Sequence, residues 1–140
     1  KEQERRENGE QEKGILDGVP LSFPALNQSQ EYQDRAARVG FDWPEIDRVL
    51  DKLMEEIEEI RQARNTEELA SEIGDLFFVL VNFARWQGVD AESALREANI
   101  RFKYRFSYIE KHARKEGHPM TEMTLDEMEA LWQEAKELKS

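Results

Sequence analysis

Residues 46–88 read IDRVLDKLMEEIEEIRQARNTEELASEIGDLFFVLVNFARWQG, and this stretch decides the fold. In its first half Ile46, Val49, Leu50, Leu53, Ile57 and Ile60 recur at steps of three and four, the spacing of one helical face. In its second half Leu69, Ile73, Leu76, Phe77, Leu80, Val81 and Ala84 do the same, and Gly88 stops the pattern. Between them Asn65-Thr66-Glu67-Glu68 has the form of a capping box. The spacing therefore predicts a helix from Pro44 to about Arg64 and a second from the cap to Gly88. Leu76 to Val81 also reads as a buried strand, but the periodicity on both sides and the upstream cap favour helix. Phe78, Val79 and Phe83 make the second helix apolar nearly all round, so it is expected to be central and partly covered by another subunit.

The same stretch carries the chemistry. Glu56 and Glu59 stand three apart on one helix, and Glu72 and Asp75 stand three apart on the next. Taking Asn65 as the turn, Glu59 lies six residues before it and Glu72 seven after, while Glu56 lies nine before and Asp75 ten after. At about 1.5 Å of rise per residue, Glu59 comes level with Glu72 and Glu56 with Asp75. Four carboxylates so placed repel one another unless a cation lies between them. Oxygen ligands of this kind suit Mg²⁺ or Mn²⁺. The alternative, a set of ordinary solvated acids, fits less well with the apolar neighbours Ile57, Ile73 and Leu76. A ferritin-like di-iron centre needs Glu-x-x-His pairs. The two histidines, His112 and His118, lie far downstream in no such motif and read as surface residues.

Outward from this hairpin the chain remains helical. Lys1 to Gly14 is charged and aperiodic, a tail or inter-domain linker, leaving residues 15–140 as one domain. Ile15 to Pro24 is punctuated by Gly18, Pro20 and Pro24 and should be extended. A first helix has Pro24 in its first turn and stops near Gly40. Asp90 caps a helix from Ala91 to about Glu116, which Gly117 and Pro119 end, and Thr124-Leu125-Asp126-Glu127 opens a last helix to Leu138. No strand remains. The fold expected is all-α, an antiparallel helical bundle with a four-helix core and short terminal helices.

Composition limits the partners. Of 140 residues, 20 are Lys or Arg and 31 Asp or Glu, a net charge of −11, which argues against a nucleic-acid polymer as ligand. A small phosphorylated ligand remains compatible, since a divalent cation supplies positive charge locally. There is no cysteine, so disulfides and Cys-based zinc sites are excluded. No run approaches the roughly 18 apolar residues of a membrane span, and nothing resembles a signal peptide. A cytoplasmic chain with no membrane partner is expected.

The pattern Glu55-Glu56-x-x-Glu59, then Glu72-x-x-Asp75, resembles the signature of the all-α nucleoside triphosphate pyrophosphohydrolases, and within them the chain is similar to the MazG proteins. Gly18-Val19-Pro20, Pro24-Ala25-Leu26, Val39 to Trp43, Gly74 to Phe78, Asn99 to Phe106 and Leu131-Trp132 extend the likeness over nearly all of Ile15 to Lys136. The resemblance implies the C-terminal domain of a tandem MazG protein, a homodimer, and Mg²⁺-dependent hydrolysis of nucleoside triphosphates between the α- and β-phosphates. It implies Glu56, Glu59, Glu72 and Asp75 as metal ligands, with one of the glutamates or Glu55 accepting a proton. Lys52 lies one turn before Glu56 and is a candidate for phosphate, as are Arg101 and Arg105, where the family's pattern has Lys at the first position. Trp132 matches a position that lies against the nucleotide, or it anchors the last helix. Asn82 and Asn99 bind ligand or satisfy polar groups in the core. Trp43 and Trp86 read as packing residues. A non-catalytic helical interaction module of a tandem protein is the competing function.

Overall fold

A computed structural model describes residues 13–139. Among them are five α-helices and no strand: α1 (Ala25–Arg38), α2 (Ile46–Arg61), α3 (Thr66–Trp86), α4 (Ala91–Glu116) and α5 (Leu125–Leu138), with a 3-10 turn at Met120–Glu122. The all-α expectation holds. The expected tail lies almost wholly outside the described residues. The described residues divide into two compact units, 13–92 and 93–139.

In the first unit α3 packs against both α2 and α1. Val49 is fully buried, and Val19, Val79 and Val81 are buried with it. Buried apolar side chains of this size stabilise by roughly 1.5–3 kcal/mol each. Polar side chains tie the remaining pieces down. Gln33 of α1 donates from Nε2 to the Phe78 carbonyl of α3 at 2.9 Å. Gln30 fixes the α3–α4 junction, donating to the Val89 carbonyl at 3.0 Å and accepting from the Ala91 N–H at 2.8 Å. The segment before α1 is not extended as expected but folds into turns, closed by the Asp17 N–H to the Gly14 carbonyl and the Phe23 N–H to the Pro20 carbonyl. Arg35 holds it by donating to the carbonyls of Ile15 and Asp17. Asp42, in the α1–α2 loop, accepts from the Trp43 backbone, from Trp86 Nε1 and from the Arg85 guanidinium. Trp86 is thus a hydrogen-bonding residue as well as a packing one.

Helix ends follow local chemistry, with three adjustments to the sequence reading. Pro24 is the residue before α1 rather than part of its first turn, with an extended ψ of 146°. Pro44 stays outside α2, because Glu45 is extended at φ −158°, ψ 158° and the helix begins after it. The cap of α3 is half a box. Asn65 accepts from the Glu68 N–H at 2.9 Å, but the Glu68 carboxylate takes the backbone N–H of Arg64, at 2.9 Å, and the Arg64 guanidinium. The guanidinium draws the acid one residue upstream. At the far end Gly88, at φ 71°, allows the Val89 N–H to turn back to the Ala84 carbonyl at 2.9 Å.

In the second unit Ile109, Ala113, Leu131 and Ala135 are buried. Phe102 of α4 meets Trp132 of α5 with ring centroids 5.4 Å apart, and the Tyr108 hydroxyl binds Glu134. The capping box of α5 is complete: Thr124 accepts from the Glu127 N–H, and Glu127 accepts from the Thr124 N–H.

The apolar girth of α3 outruns what the chain covers. Phe77 is 56% exposed and Leu80 50%, and Ile73 and Phe78 are also exposed. Removing the Asn65 cap by Asn65→Ala is expected to cost about 1 kcal/mol in urea denaturation, and Asn65→Gly only a few tenths. Equal loss in both variants would show that side-chain capping is not what Asn65 contributes.

Candidate metal centre

Three acids of the α2–α3 hairpin converge. Glu56, Glu59 and Glu72 each offer a carboxylate oxygen, and these oxygens lie within 4.8 Å of one another. Their meeting requires α2 and α3 to run antiparallel, with the register set by the turn at residues 62–65. Asp75 is not one of this trio. It is exposed one turn further along α3, and its side chain is a methylene shorter than that of Glu.

The trio is held in an environment ill suited to bare negative charge. Glu56 is only 3% exposed, and Glu59 and Glu72 are half-buried. As carboxylates all three only accept hydrogen bonds. The buried Oε2 atoms of Glu56 and Glu72 accordingly have no hydrogen-bond partner. Placing a proton on Glu72 converts repulsion into a hydrogen bond. Glu59 beside it, loss of solvent and Glu56, in that order of weight, push its carboxyl from 4.5 up to about 7.

Lys52 supplies the positive charge that is present. Its Nζ lies 3.2 Å from an oxygen of Glu56 and 3.2 Å from one of Glu55, and these bonds raise its pKa, Glu56 contributing most. One ammonium at one edge leaves most of the trio's charge uncompensated. A hard divalent cation fits the donor set. Oxygens opposite one another on Mg²⁺ stand about 4.2 Å apart, so slight closure of the observed cluster would suffice.

The other residues singled out from the sequence fall elsewhere. Glu55 is exposed at the edge of the trio. Asn82 is 7% exposed on α3, and its Oδ1 accepts from Arg85 Nε at 3.0 Å. In the second unit the Arg105 guanidinium lies 5.3 Å from the Trp132 ring centroid, and Arg105 Nε is buried without a partner. Arg101 and Asn99 are exposed on α4. Each unit thus holds its own cluster: Lys52 with the acids in the first, Arg105 with Trp132 in the second.

Sequence reasoning missed two features. A cavity in the first unit is walled by Tyr32, Phe41, Trp43 and Phe78. His112 and His118 both line a second cavity, beside Glu116, Glu122 and Glu127, at the α4–α5 corner. Neither cavity has a motif, since each is drawn from segments distant in the chain or from a loop.

Comparison with known proteins bears on this geometry. The family model described as phosphoribosyl-ATP pyrophosphohydrolase matches residues 24–102, which include all three acids of the trio. A nucleoside triphosphate pyrophosphohydrolase of Escherichia coli (strain K12) is 44% identical over 126 residues, 86% of this chain and 48% of that protein. The nucleoside triphosphate pyrophosphohydrolase/pyrophosphatase MazG of Thermotoga maritima is 35% identical over 94% of this chain and 51% of its own length. An uncharacterized Bacillus subtilis protein, YabN, is 40% identical over 95% of this chain and 28% of its own length. The chain spans about half the length of the first two relatives.

Glu72 gives the metal-free protein a pH dependence of definite sign. Its folded pKa is raised, so the favourable protonated form is fully present below about 4.5 and is lost as pH rises through about 7. Thermal melts in chelator should show stability falling across that window, with the fall flattened in Glu72→Gln. A wild-type profile matching that of Glu72→Gln would show that the trio carries no such strain.

Proposed function

The chain belongs to the phosphoribosyl-ATP pyrophosphohydrolase family, on its MazG-like side, and from that premise we propose that it hydrolyses nucleoside triphosphates to monophosphate and pyrophosphate. The observation that carries this reading is the trio Glu56, Glu59 and Glu72, in which the buried Oε2 atoms of Glu56 and Glu72 lack any donor. These three, with Asp75 one turn along α3, hold Mg²⁺, and Mn²⁺ in its place. When bound, the ion neutralises phosphate oxygens and acidifies water at the site. The chain's own groups do the rest. Lys52 keeps a positive charge beside the acids for the phosphates, and one of the glutamates, or Glu55 at the edge, accepts the proton of the attacking water. Arg101 and Arg105 are the further cations for phosphate. Trp132, backed by Arg105 and Phe102, offers an indole face to the base, and Asn82 and Asn99 are polar contacts for the nucleotide.

A homodimer completes the proposal. The exposed Ile73, Phe77 and Leu80 share one face of α3 and form an apolar surface of the kind that subunits bury. Among the described residues no helix is long and apolar enough to cross a membrane. A light-scattering mass of two chains at micromolar concentration is the expected result, and a mass of one chain would remove the dimer from the account.

The reaction is tested by chromatography of products after incubation with each common nucleoside triphosphate, with Mg²⁺ or with EDTA. Monophosphate and pyrophosphate are expected with Mg²⁺ only, and Glu72→Gln should lower the rate by about a hundredfold or more without loss of helical signal. Diphosphate and orthophosphate would overturn the bond assignment. An unaltered rate in Glu72→Gln would overturn the site, and a folded dimer inert toward every nucleotide would favour the interaction-module reading.

A further inference from the structure

Lys52 pairs with two acids of α2 that differ in their surroundings. Its Nζ lies 3.2 Å from Oε1 of Glu56, whose side chain is 4% exposed, and 3.2 Å from Oε1 of Glu55, whose side chain is 57% exposed. Among the described residues no other ion pair reaches Glu56, Glu59 or Glu72. The ammonium thus touches one member of the trio and is held from the other side by an acid outside it.

Glu56 is divided between its two oxygens. Oε1 has the ammonium, and Oε2 is buried with no donor. A divalent cation drawn to the three acids, whose oxygens lie within 4.8 Å of one another, shares the Glu56 carboxylate with that ammonium. Two positive groups so close repel, and more strongly in a partly desolvated place than in water. The contest is unequal. The divalent ion meets all three acids, the ammonium only one. Glu56 is enclosed, whereas the Lys52 side chain is 31% exposed and rides on a flexible four-carbon stem.

We propose that Lys52 is the exchangeable counter-ion of the trio: it neutralises Glu56 in the metal-free protein and leaves that carboxylate when a divalent cation binds. Glu55 keeps it at the edge of the site, with its freed N–H donors turned to water or to phosphate. The proposal rests on the metal-site reading of the trio and adds a sign to it. Lys52 stabilises the metal-free site and opposes the metal. By reciprocity, anything that draws the ammonium off Glu56, a phosphate oxygen included, tightens the metal. A lysine that only positioned Glu56 as a ligand would have the opposite sign, since its removal would weaken the metal.

Titration with Mn²⁺ in the absence of nucleotide, followed by loss of the free-ion electron paramagnetic resonance signal, separates the two. Lys52→Met keeps the stem and is expected to bind Mn²⁺ about tenfold tighter than the wild type, the scale of one charge-assisted hydrogen bond. Lys52→Gln, also neutral, should behave alike, and Lys52→Arg, which keeps the charge, should bind no tighter than the wild type. Arg48→Met removes the same charge one turn earlier, from an exposed pair with Glu45, and should shift binding by less than about twofold. Thermal melts give a second readout. In chelator Lys52→Met should melt below the wild type, and saturating Mn²⁺ should raise its Tm by more. Unchanged or weaker Mn²⁺ binding in folded Lys52→Met and Lys52→Gln, or equal tightening in Arg48→Met, overturns the proposal while leaving Mg²⁺-dependent turnover by the wild type untouched. Tightening in a protein whose wild type hydrolyses no nucleotide would uphold the counter-ion and sink only the hydrolytic reading. Mn²⁺ bound by no variant would sink both.

Discussion

Mutual repulsion among Glu56, Glu59 and Glu72 is the constraint around which the first unit is organised. Their oxygens are held within 4.8 Å in a partly desolvated place, where like charges interact more strongly than in water. Left to itself the chain answers with two partial remedies, an ammonium from Lys52 at one edge and a proton kept on Glu72 up to about pH 7. Neither supplies donors to both buried Oε2 atoms. A cluster that is costly when empty and compensated when a cation arrives couples binding to folding.

Holding that cluster demands a rigid hairpin, and the local sequence provides one. The Asn65 cap starts α3 after a short turn, and the Arg64–Glu68 pair anchors the turn's last residue to the first turn of the helix. Val49 on α2 and Val79 and Val81 on α3 are buried in the same unit. Further along α3, Phe78 and Asn82 line a cavity of different character. One helix therefore carries acids, Glu72 and Asp75, near its start and lines an aromatic, amide-edged recess near its end. Charge chemistry and apolar surface are thus separated along the 21 residues of α3.

Much of this was legible in the residues. Three-and-four spacing of apolar side chains placed α2 and α3, because each buries one face and the 3.6-residue period must appear, while Pro24, Gly40, Asp90, Gly117 and the Thr124 capping box marked the other three. Counting outward from Asn65 brought Glu59 level with Glu72. The same count placed Asp75 opposite Glu56, whereas Asp75 stands outside the trio, since axial level ignores both the rotation around the helix and the shorter side chain. Exact ends were less legible. Pro44 favours a helix start, yet Glu45 is extended, and Glu68 prefers Arg64 because a charged guanidinium outbids a backbone amide alone. The cavity was invisible in the sequence: Tyr32, Trp43 and Phe78 have no common spacing, and only the packing of α1 on α3 brings them together.

The most direct test of the central claim, that the trio is strained for want of a cation, is calorimetric titration with Mg²⁺ near pH 7 in buffers of different ionisation enthalpy. Because Glu72 titrates at about 7 in the metal-free chain, binding should release roughly half a proton per ion, and Glu72→Gln should release none. Binding with no proton release in the wild type, or no binding at all, would contradict the account.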